Sequence, residues 1–268
     1  MEYDPIKRRL GHFFNRSPWL RKLFYFLLDL LLLRSWHIRK EIRTWARLKA
    51  GRAAVLDAGA GFGQYSYYIA HRWPGMVITG VDVKKEEMAD CQHFFERTAM
   101  KNAGFHDADL LTYRQEKAYD LILCVDVMEH IEKDTVVFEN FAASLKPGGM
   151  LLISTPSDRG GSDVRYHGDG SFIGEHVREG YNAMEMVMRL THAGFKRTEV
   201  RYSYGVPGNL SWQLSMKYPM MMLSRSRWFF VVVPFYYLII FPFFLSLNFL
   251  DLEMHHTSGT GLIVKAWT

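Results

Sequence analysis

The sequence predicts an α/β fold, a largely parallel sheet covered by helices on both faces. Three observations carry that expectation. Between Ala53 and about Tyr204, short aliphatic or β-branched runs alternate with helical stretches, the pattern of strands joined by crossover helices. The first run ends in a glycine-rich turn, Gly59, Gly61 and Gly63, that leads directly into a helical pattern. Of the 268 residues 49% are apolar, enough for a sizeable core without cross-links.

Each element has its own signal. Residues 1–52 form an N-terminal arm. It holds a Leu-rich stretch from Pro18 to Leu33, then Trp36, Ile38, Ile42, Trp45 and Leu48 at three- and four-residue steps, closed by Gly51. The strands are expected at Ala53–Asp57, Met76–Asp82, Gly104–Asp109, Tyr119–Asp126, Met150–Thr155 and Arg197–Tyr204. Glu86–Thr98 and Asp134–Leu145 read as helices between them, and Asn182 to Glu185 as a helix-starting capping box. The chain thus divides into the arm (1–52), a ligand-binding domain (53–206), an apolar insertion (207–258) and a last strand of the same sheet (259–268).

Composition narrows the class. Cys91 and Cys124 lie inside element-like patterns, so neither a disulfide scaffold nor a cysteine-based zinc site is expected, and a reducing compartment is. No secretory signal is read, because the Leu-rich stretch lies too deep and a basic segment follows it. The net charge of +5 is uneven: residues 1–52 hold 13 Lys/Arg against 4 Asp/Glu, a net of +9. Interleaved with that much hydrophobicity, the basic arm suits an anionic membrane surface and not a nucleic acid.

The turn is the sharpest functional signal. Glycines there let a ligand approach the backbone, and the free N–H groups of the following helix face the same space. Asp82, nineteen residues beyond Gly63 at the end of the next strand, stands where a carboxylate takes ribose hydroxyls. Asp57 at the first strand's end would repel a pyrophosphate, yet it can order the loop or hold an amino group. That favours S-adenosylmethionine over a nicotinamide dinucleotide, whose site usually reads G-x-G-x-x-G.

These residues resemble the class I S-adenosylmethionine-dependent methyltransferases over about residues 50–206 and the final strand. VLDAGAGFG, VITGVDV, HDADLL, YDLILCVDVMEHI and LKPGGMLLISTP match successive motifs, and in detail the chain looks most like the ubiquinone-biosynthesis O-methyltransferase branch. The resemblance implies a Rossmann-like sheet of seven strands in the order 3-2-1-4-5-7-6, the last antiparallel, here with membrane-facing helical additions. It implies a cofactor site of Asp57, Gly59, Ala60, Gly61, Gly63, Tyr65, Asp82, Val83, Asp109, Leu110 and Val125. Asp109 is preferred to Asp107 for the adenine amino group, as lying further toward the strand end.

Methyl transfer needs alignment above all, and a base only when the acceptor arrives protonated. Asp126, Glu129 and His130 follow the fourth strand and would share one face of a helical turn. They read as a base (His130 oriented by Glu129), as an oxygen/nitrogen metal site, or as a structural cap; a divalent ion is possible but not expected. His176 or Arg178 in the Glu175–Tyr181 segment could touch substrate, and Ser157–Gly174 reads as a lid over it. His255 and His256 are weak signs of a metal.

Trp228–Leu245 is 18 residues with no polar group but tyrosine hydroxyls, about 27 Å of helix against a hydrocarbon core of about 30 Å. One crossing would part the last strand from its sheet. The segment is therefore expected to enter and return on one side, bent at Pro234 and Pro242, or to lie in the interface. Arg225, Arg227, Trp228, Tyr236 and Tyr237 would meet head groups. The expected function is methylation of a lipophilic acceptor at the cytoplasmic side of a membrane with anionic lipids, by a monotopic or peripheral protein. O-methylation of a quinol, phenol or lipid-like group ranks first. A soluble small-molecule or N-methyltransferase using the apolar segment as a lid or dimer interface, a non-catalytic cofactor-binding scaffold and a nicotinamide oxidoreductase remain alternatives. Oligomeric state is not legible.

Overall fold

Strand register follows the alternation of the sequence. The computed structural model describes residues 17–160, 177–226 and 228–268. Its strands are β1 (Ala54–Ala58), β2 (Val77–Asp82), β3 (Ala103–Asp107), β4 (Tyr119–Val125), β5 (Leu145–Pro156), β6 (Arg197–Ser203) and β7 (Gly261–Trp267), in the order 3-2-1-4-5-7-6. The first five pair in parallel, and β7 runs antiparallel between β5 and β6. Val55, Leu121, Leu123 and Leu152 point to one face, Leu56, Ile122, Leu151 and Ile153 to the other, so both faces are dry. The strand order reverses between β1 and β4, which opens a crevice at their carboxyl ends.

Two boundaries differ from expectation. β3 stops at Asp107 because Asp109 Oδ1 accepts the Leu111 N–H at 2.9 Å and turns the chain off the ladder. β5 starts at Leu145, which pairs with Tyr119 across a register shift.

The helices divide by face. α1 (Pro18–Leu31), α2 (Leu33–Leu48), α3 (Gln64–Arg72) and α4 (Lys85–Arg97) cover the first face through Tyr25, Ile38, Ile42, Ile69, Phe94 and Phe95. α5 (Asp134–Ser144) and α6 (Ala183–His192) cover the second through Val137, Phe138, Phe141, Met186 and Leu190. Ser17 caps α1 with Pro18 at its first turn, and Asn182 caps α6. Residues 18–48 of the arm thus pack on the body of the fold. The arm's basic residues include Arg21, which is buried and turns inward, while Trp19 and Phe26 stay exposed.

The insertion is a helical hairpin. One limb is α7 (Val206–Trp212), a π-helical turn (Gln213–Lys217) and α8 (Tyr218–Arg225); the other is α9 (Phe229–Glu253). Ser211 Oγ donates to Phe244 O at 3.1 Å, and Tyr236 Oη to Leu214 O at 2.7 Å, so the limbs run antiparallel. α9 passes through Pro234 and Pro242 without a break. The chain does not turn back at those prolines: α7–α8 form the other limb, and Ser224, Arg225 and Trp228 lie at the far tip. Helix α9 is the one described helix long and apolar enough to cross a membrane, and little of its apolar stretch is covered.

Candidate active site

The site is built from the turn after β1. Gly59, Gly61 and Gly63 have φ of 77°, 49° and 72°, left-handed values that favour glycine. A Cβ on Gly59 would lie 2.2 Å from Val127 Cγ2. The Gly59 and Ala60 amides both bond Val81 O, at 2.8 and 2.9 Å, and the Gly61 amide bonds Asp82 Oδ2 at 3.1 Å. Asp82 Oδ1 accepts from the Lys84 amide at 3.1 Å. Loop and acidic residue are thus one unit at the carboxyl ends of β1 and β2, with exposed Val83 beside them.

Asp57 is buried, and its Oδ2 accepts from the Ser66 amide (3.1 Å) and hydroxyl (2.6 Å). Burial pushes its carboxyl up to about 6. It orders the loop by capping α3, one of its two expected tasks. Tyr65 is buried with its hydroxyl 3.4 Å from Ser35 Oγ, so the ring faces the arm. Asp107 ends β3 level with Asp82 across the sheet, and Asp109 lies in the turn just beyond it. Leu110 is buried, its carbonyl held by Asn140 Nδ2 at 3.0 Å, and Val125 is half-buried at the end of β4.

After β4 the chain does not form the expected helical face. Asp126 has φ 53°, and a single 3-10 turn, Met128–His130, follows. Glu129 points inward: it is 1% exposed, accepts from Thr155 Oγ1 at 3.2 Å, and burial raises its pKa. Its carbonyl accepts the Val177 amide at 3.0 Å. His130 is half-buried at the end of this turn. Arg178 is engaged by Asp134 at 2.7 Å and the Ile131 carbonyl at 2.9 Å, which uses it in structure rather than on a substrate. His176, Glu175 and most of the expected lid lie outside the described residues. His256 Nε2 is 3.0 Å from Asp251 Oδ2, and no three His, Cys, Asp or Glu side chains group as a metal site among the described residues.

Sequence reasoning missed what the arm supplies. Arg21, 2% exposed, donates to Phe62 O (2.9 Å) and Asp90 O (2.9 Å), and Tyr25 Oη bonds Phe62 O at 2.5 Å. Gln64 Nε2 reaches Asp29 Oδ1 at 2.8 Å. The Arg34 guanidinium ion-pairs with Asp126, and its backbone amide donates to Tyr204 Oη at 3.1 Å. Its Nε is buried without a hydrogen-bond partner among the described residues, a donor suited to a carboxylate in the crevice. A one-residue shift of apolar spacing at Tyr25 and Arg21 was the available signal, and it is masked by the surrounding leucines.

The sheet order, the left-handed glycine turn and Asp82 after β2 are the arrangement of the class I S-adenosylmethionine-dependent methyltransferase fold. Residues 55–149 match the family described as a methyltransferase domain. A ubiquinone biosynthesis O-methyltransferase of Coxiella burnetii is 32% identical over 102 residues, which are 38% of this chain and 42% of that protein. This chain therefore spans less than half the length of that curated relative. Among solved structures, phosphoethanolamine N-methyltransferase 2 of Haemonchus contortus in complex with S-adenosyl-L-methionine superposes with a TM-score of 0.55 at 16% identity, over 81% of this chain and 49% of that one. The cyclase SpnF gives a TM-score of 0.56 at 15% identity, over 95% of this chain and 84% of its own. Three different chemistries on one fold leave the acceptor to the site itself.

S-adenosylmethionine is the cofactor of that class, and the residues fit it. The turn holds left-handed backbone at three glycines beside the crevice, and Asp82, bonded to the Gly61 amide, suits ribose hydroxyls.

Proposed function

We propose that the protein transfers a methyl group from S-adenosylmethionine to a lipophilic acceptor, most simply the hydroxyl of a quinol, phenol or similar lipid-like molecule, at the cytoplasmic side of a membrane. The observation that carries the acceptor class is where the hairpin is rooted. Asp251 at the base of α9 accepts from the amides of Tyr204 (3.2 Å), Gly205 (2.8 Å) and Gly208 (3.0 Å), and Tyr204 in turn bonds Arg34 at the crevice. The largest exposed apolar surface of the described chain therefore begins at the rim of the site.

The bound cofactor supplies an activated methyl on a sulfonium that leaves as a neutral thioether. The chain's share is alignment and proton handling. The glycine turn and Asp82 hold one partner, and the crevice at the carboxyl ends of β1 and β4 receives the other. The acceptor oxygen forms its bond to the methyl carbon as the carbon–sulfur bond breaks in line, and the hydroxyl proton passes to a base. His130 is that base in our reading, with buried Glu129 fixing the turn that presents it. An acceptor arriving as an anion needs no base, and Arg34 suits it.

Incubation of the purified protein with methyl-labelled S-adenosylmethionine and a total lipid extract tests this. Label is expected in the organic phase; label that stays in the aqueous phase, with cofactor binding intact, overturns the lipophilic acceptor.

A further inference from the structure

We propose that the α7–α9 hairpin crosses the hydrocarbon core of a bilayer as a preformed pair of helices, with Arg225 and Trp228 at its tip in the head groups of the far leaflet. This rests on the membrane part of the reading above and is independent of methyl transfer.

The first argument is the surface of α9. From Trp228 to Leu245 it shows no charged side chain, and Phe230, Phe235, Leu238, Ile239 and Phe243 are exposed on all sides but the one against α7 and α8. A helix lying in the interface carries a polar face for the water side. Helix α9 has none, the pattern of a helix surrounded by apolar matter.

The second argument is the backbone. Pro219 has no N–H, and the π turn sends the Tyr218 amide to Gln213 O. The carbonyls of Leu214 and Ser215 thereby lose their ordinary helical donors. Tyr236 Oη reaches the first at 2.7 Å and Tyr237 Oη the second at 2.5 Å. In water the solvent would satisfy both carbonyls; in hydrocarbon only the protein can. Nearer the root, Ser211 Oγ and Asn248 Oδ1 pair at 2.6 Å between the limbs. The polar atoms of the hairpin thus turn toward each other and its apolar atoms outward, the reverse of a soluble helix pair.

The third argument is length. Trp228–Leu245 rises about 27 Å against about 30 Å of hydrocarbon. Its tip carries exposed Ser224, Arg225 and Trp228, and its root Ser246, Asn248 and the Lys40–Glu253 ion pair. Half-way insertion would leave Arg225 near the midplane, the costliest place for it, whereas crossing puts arginine and tryptophan among head groups. Crossing sets Lys217, half-buried about 12 Å from Arg225, near the middle of that span, a cost the packed limbs have to bear. A second copy packed on α9 is the rival occupant, but it does not call for charged and aromatic ends a bilayer apart.

The test uses the full chain in membranes of a bacterial host, as right-side-out and inside-out vesicles, with Ser224→Cys or Ser258→Cys and an impermeant maleimide. The native Cys91 and Cys124 are buried. Ser258→Cys is expected to label only from the face bearing the sheet and Ser224→Cys only from the other. Labelling of both from one face, labelling of Ser224→Cys from neither, or recovery of the chain as a soluble dimer overturns the crossing. Protease added to the sheet's face of wild-type vesicles gives the same answer without a variant: a protected hairpin fragment is expected, and a cut near Arg225 overturns it. Adding Tyr236→Phe and Tyr237→Phe together should at least halve the yield of that fragment. Loss of lipid methylation with the labelling unchanged counts against the acceptor reading alone.

Discussion

Arg34, carried by the N-terminal arm, closes on Asp126 at the carboxyl end of β4, where Asp126 is held at φ 53°. Backbone strain at a non-glycine residue persists where surrounding structure imposes it, and such residues gather at functional sites. Tyr204, the other residue bonded to Arg34, has the same φ of 53°. The arm and the ends of β4 and β6 therefore meet at one residue, Arg34, its guanidinium on Asp126 and its backbone amide on Tyr204 Oη.

The pair is partly exposed, at 37% and 30% of the two side chains, so its share of stability is small. Arg34→Ala should shift the melting temperature little. It should weaken binding of the demethylated cofactor or raise KM for the acceptor by about 10- to 100-fold, the worth of a charged hydrogen bond. Arg34→Lys should recover part of the loss. Calorimetry and steady-state kinetics on the two variants check this, and unchanged constants for both would remove Arg34 from the site.

Asp82 bonds the Gly61 amide, so it orders the loop at the place where a ribose would meet it. Asp82→Ala should cost about 1.5–3 kcal/mol of cofactor binding through lost charged hydrogen bonds. NAD should bind weakly or not at all to either protein. Tighter binding of NAD than of the demethylated cofactor, measured by calorimetry, would overturn the cofactor assignment.

The sheet was legible because its physics is local and repeated: β-branched runs, a left-handed glycine turn, Asp82 after β2, and antiparallel β7 from Gly261 to Trp267. What stayed hidden depends on partners far along the chain. Arg21 reads as a charge on a basic arm, yet Phe62 O, Asp90 O and Tyr25 make it a buried clamp on the loop. Tyr236 and Tyr237 read as head-group anchors, and only the hairpin shows which carbonyls they satisfy. Pro234 and Pro242 read as breaks, but α9 continues as helix through both.

Glu129 and His130 separate by burial. Glu129→Gln should mainly destabilise the chain, because Glu129 sits inside against Thr155 and under Val177. His130→Ala should lower turnover by about 10²–10⁴ with cofactor affinity nearly unchanged, if it takes the acceptor proton. A drop of less than tenfold, on an acceptor known to arrive protonated, would return His130 to a structural role.

Asp57 gives a pH signature opposite to that of a salt-bridged carboxylate. Its folded pKa of about 6 is raised above the ordinary 3.8 by burial. The folded state thus binds the proton more tightly, and native stability rises as pH falls from about 6 toward 4. Above pH 6 the buried charge costs on the order of 3 kcal/mol. Asp57→Asn keeps an acceptor for Ser66 and removes that charge. It should raise the melting temperature of the cofactor-free protein at pH 7.5, with the gain fading by about pH 4. A lower melting temperature at pH 7.5 would mean the carboxylate's bonds to Ser66 outweigh its burial.

On the proposed reading, membrane retention would have two sources that salt separates. Each basic residue near an anionic surface contributes about 1 kcal/mol and is screened, whereas apolar surface is not. The structure turns Arg21, Arg34 and Arg39 of the arm toward protein partners, which leaves fewer basic residues for lipid than the sequence count suggests. The hairpin should therefore dominate. High salt should leave most of the protein on membranes, and detergent should release it. Phe235, Leu238 and Ile239 are all exposed on α9, and replacing the three together by glutamate should release most of the protein without detergent. Tyr236 is left intact in that variant because its hydroxyl holds the limbs together. Cofactor binding should survive, since the turn after β1 lies in the sheet. Release of the wild-type protein by salt alone, measured by sedimentation of washed membranes, would shift the weight back to the basic arm.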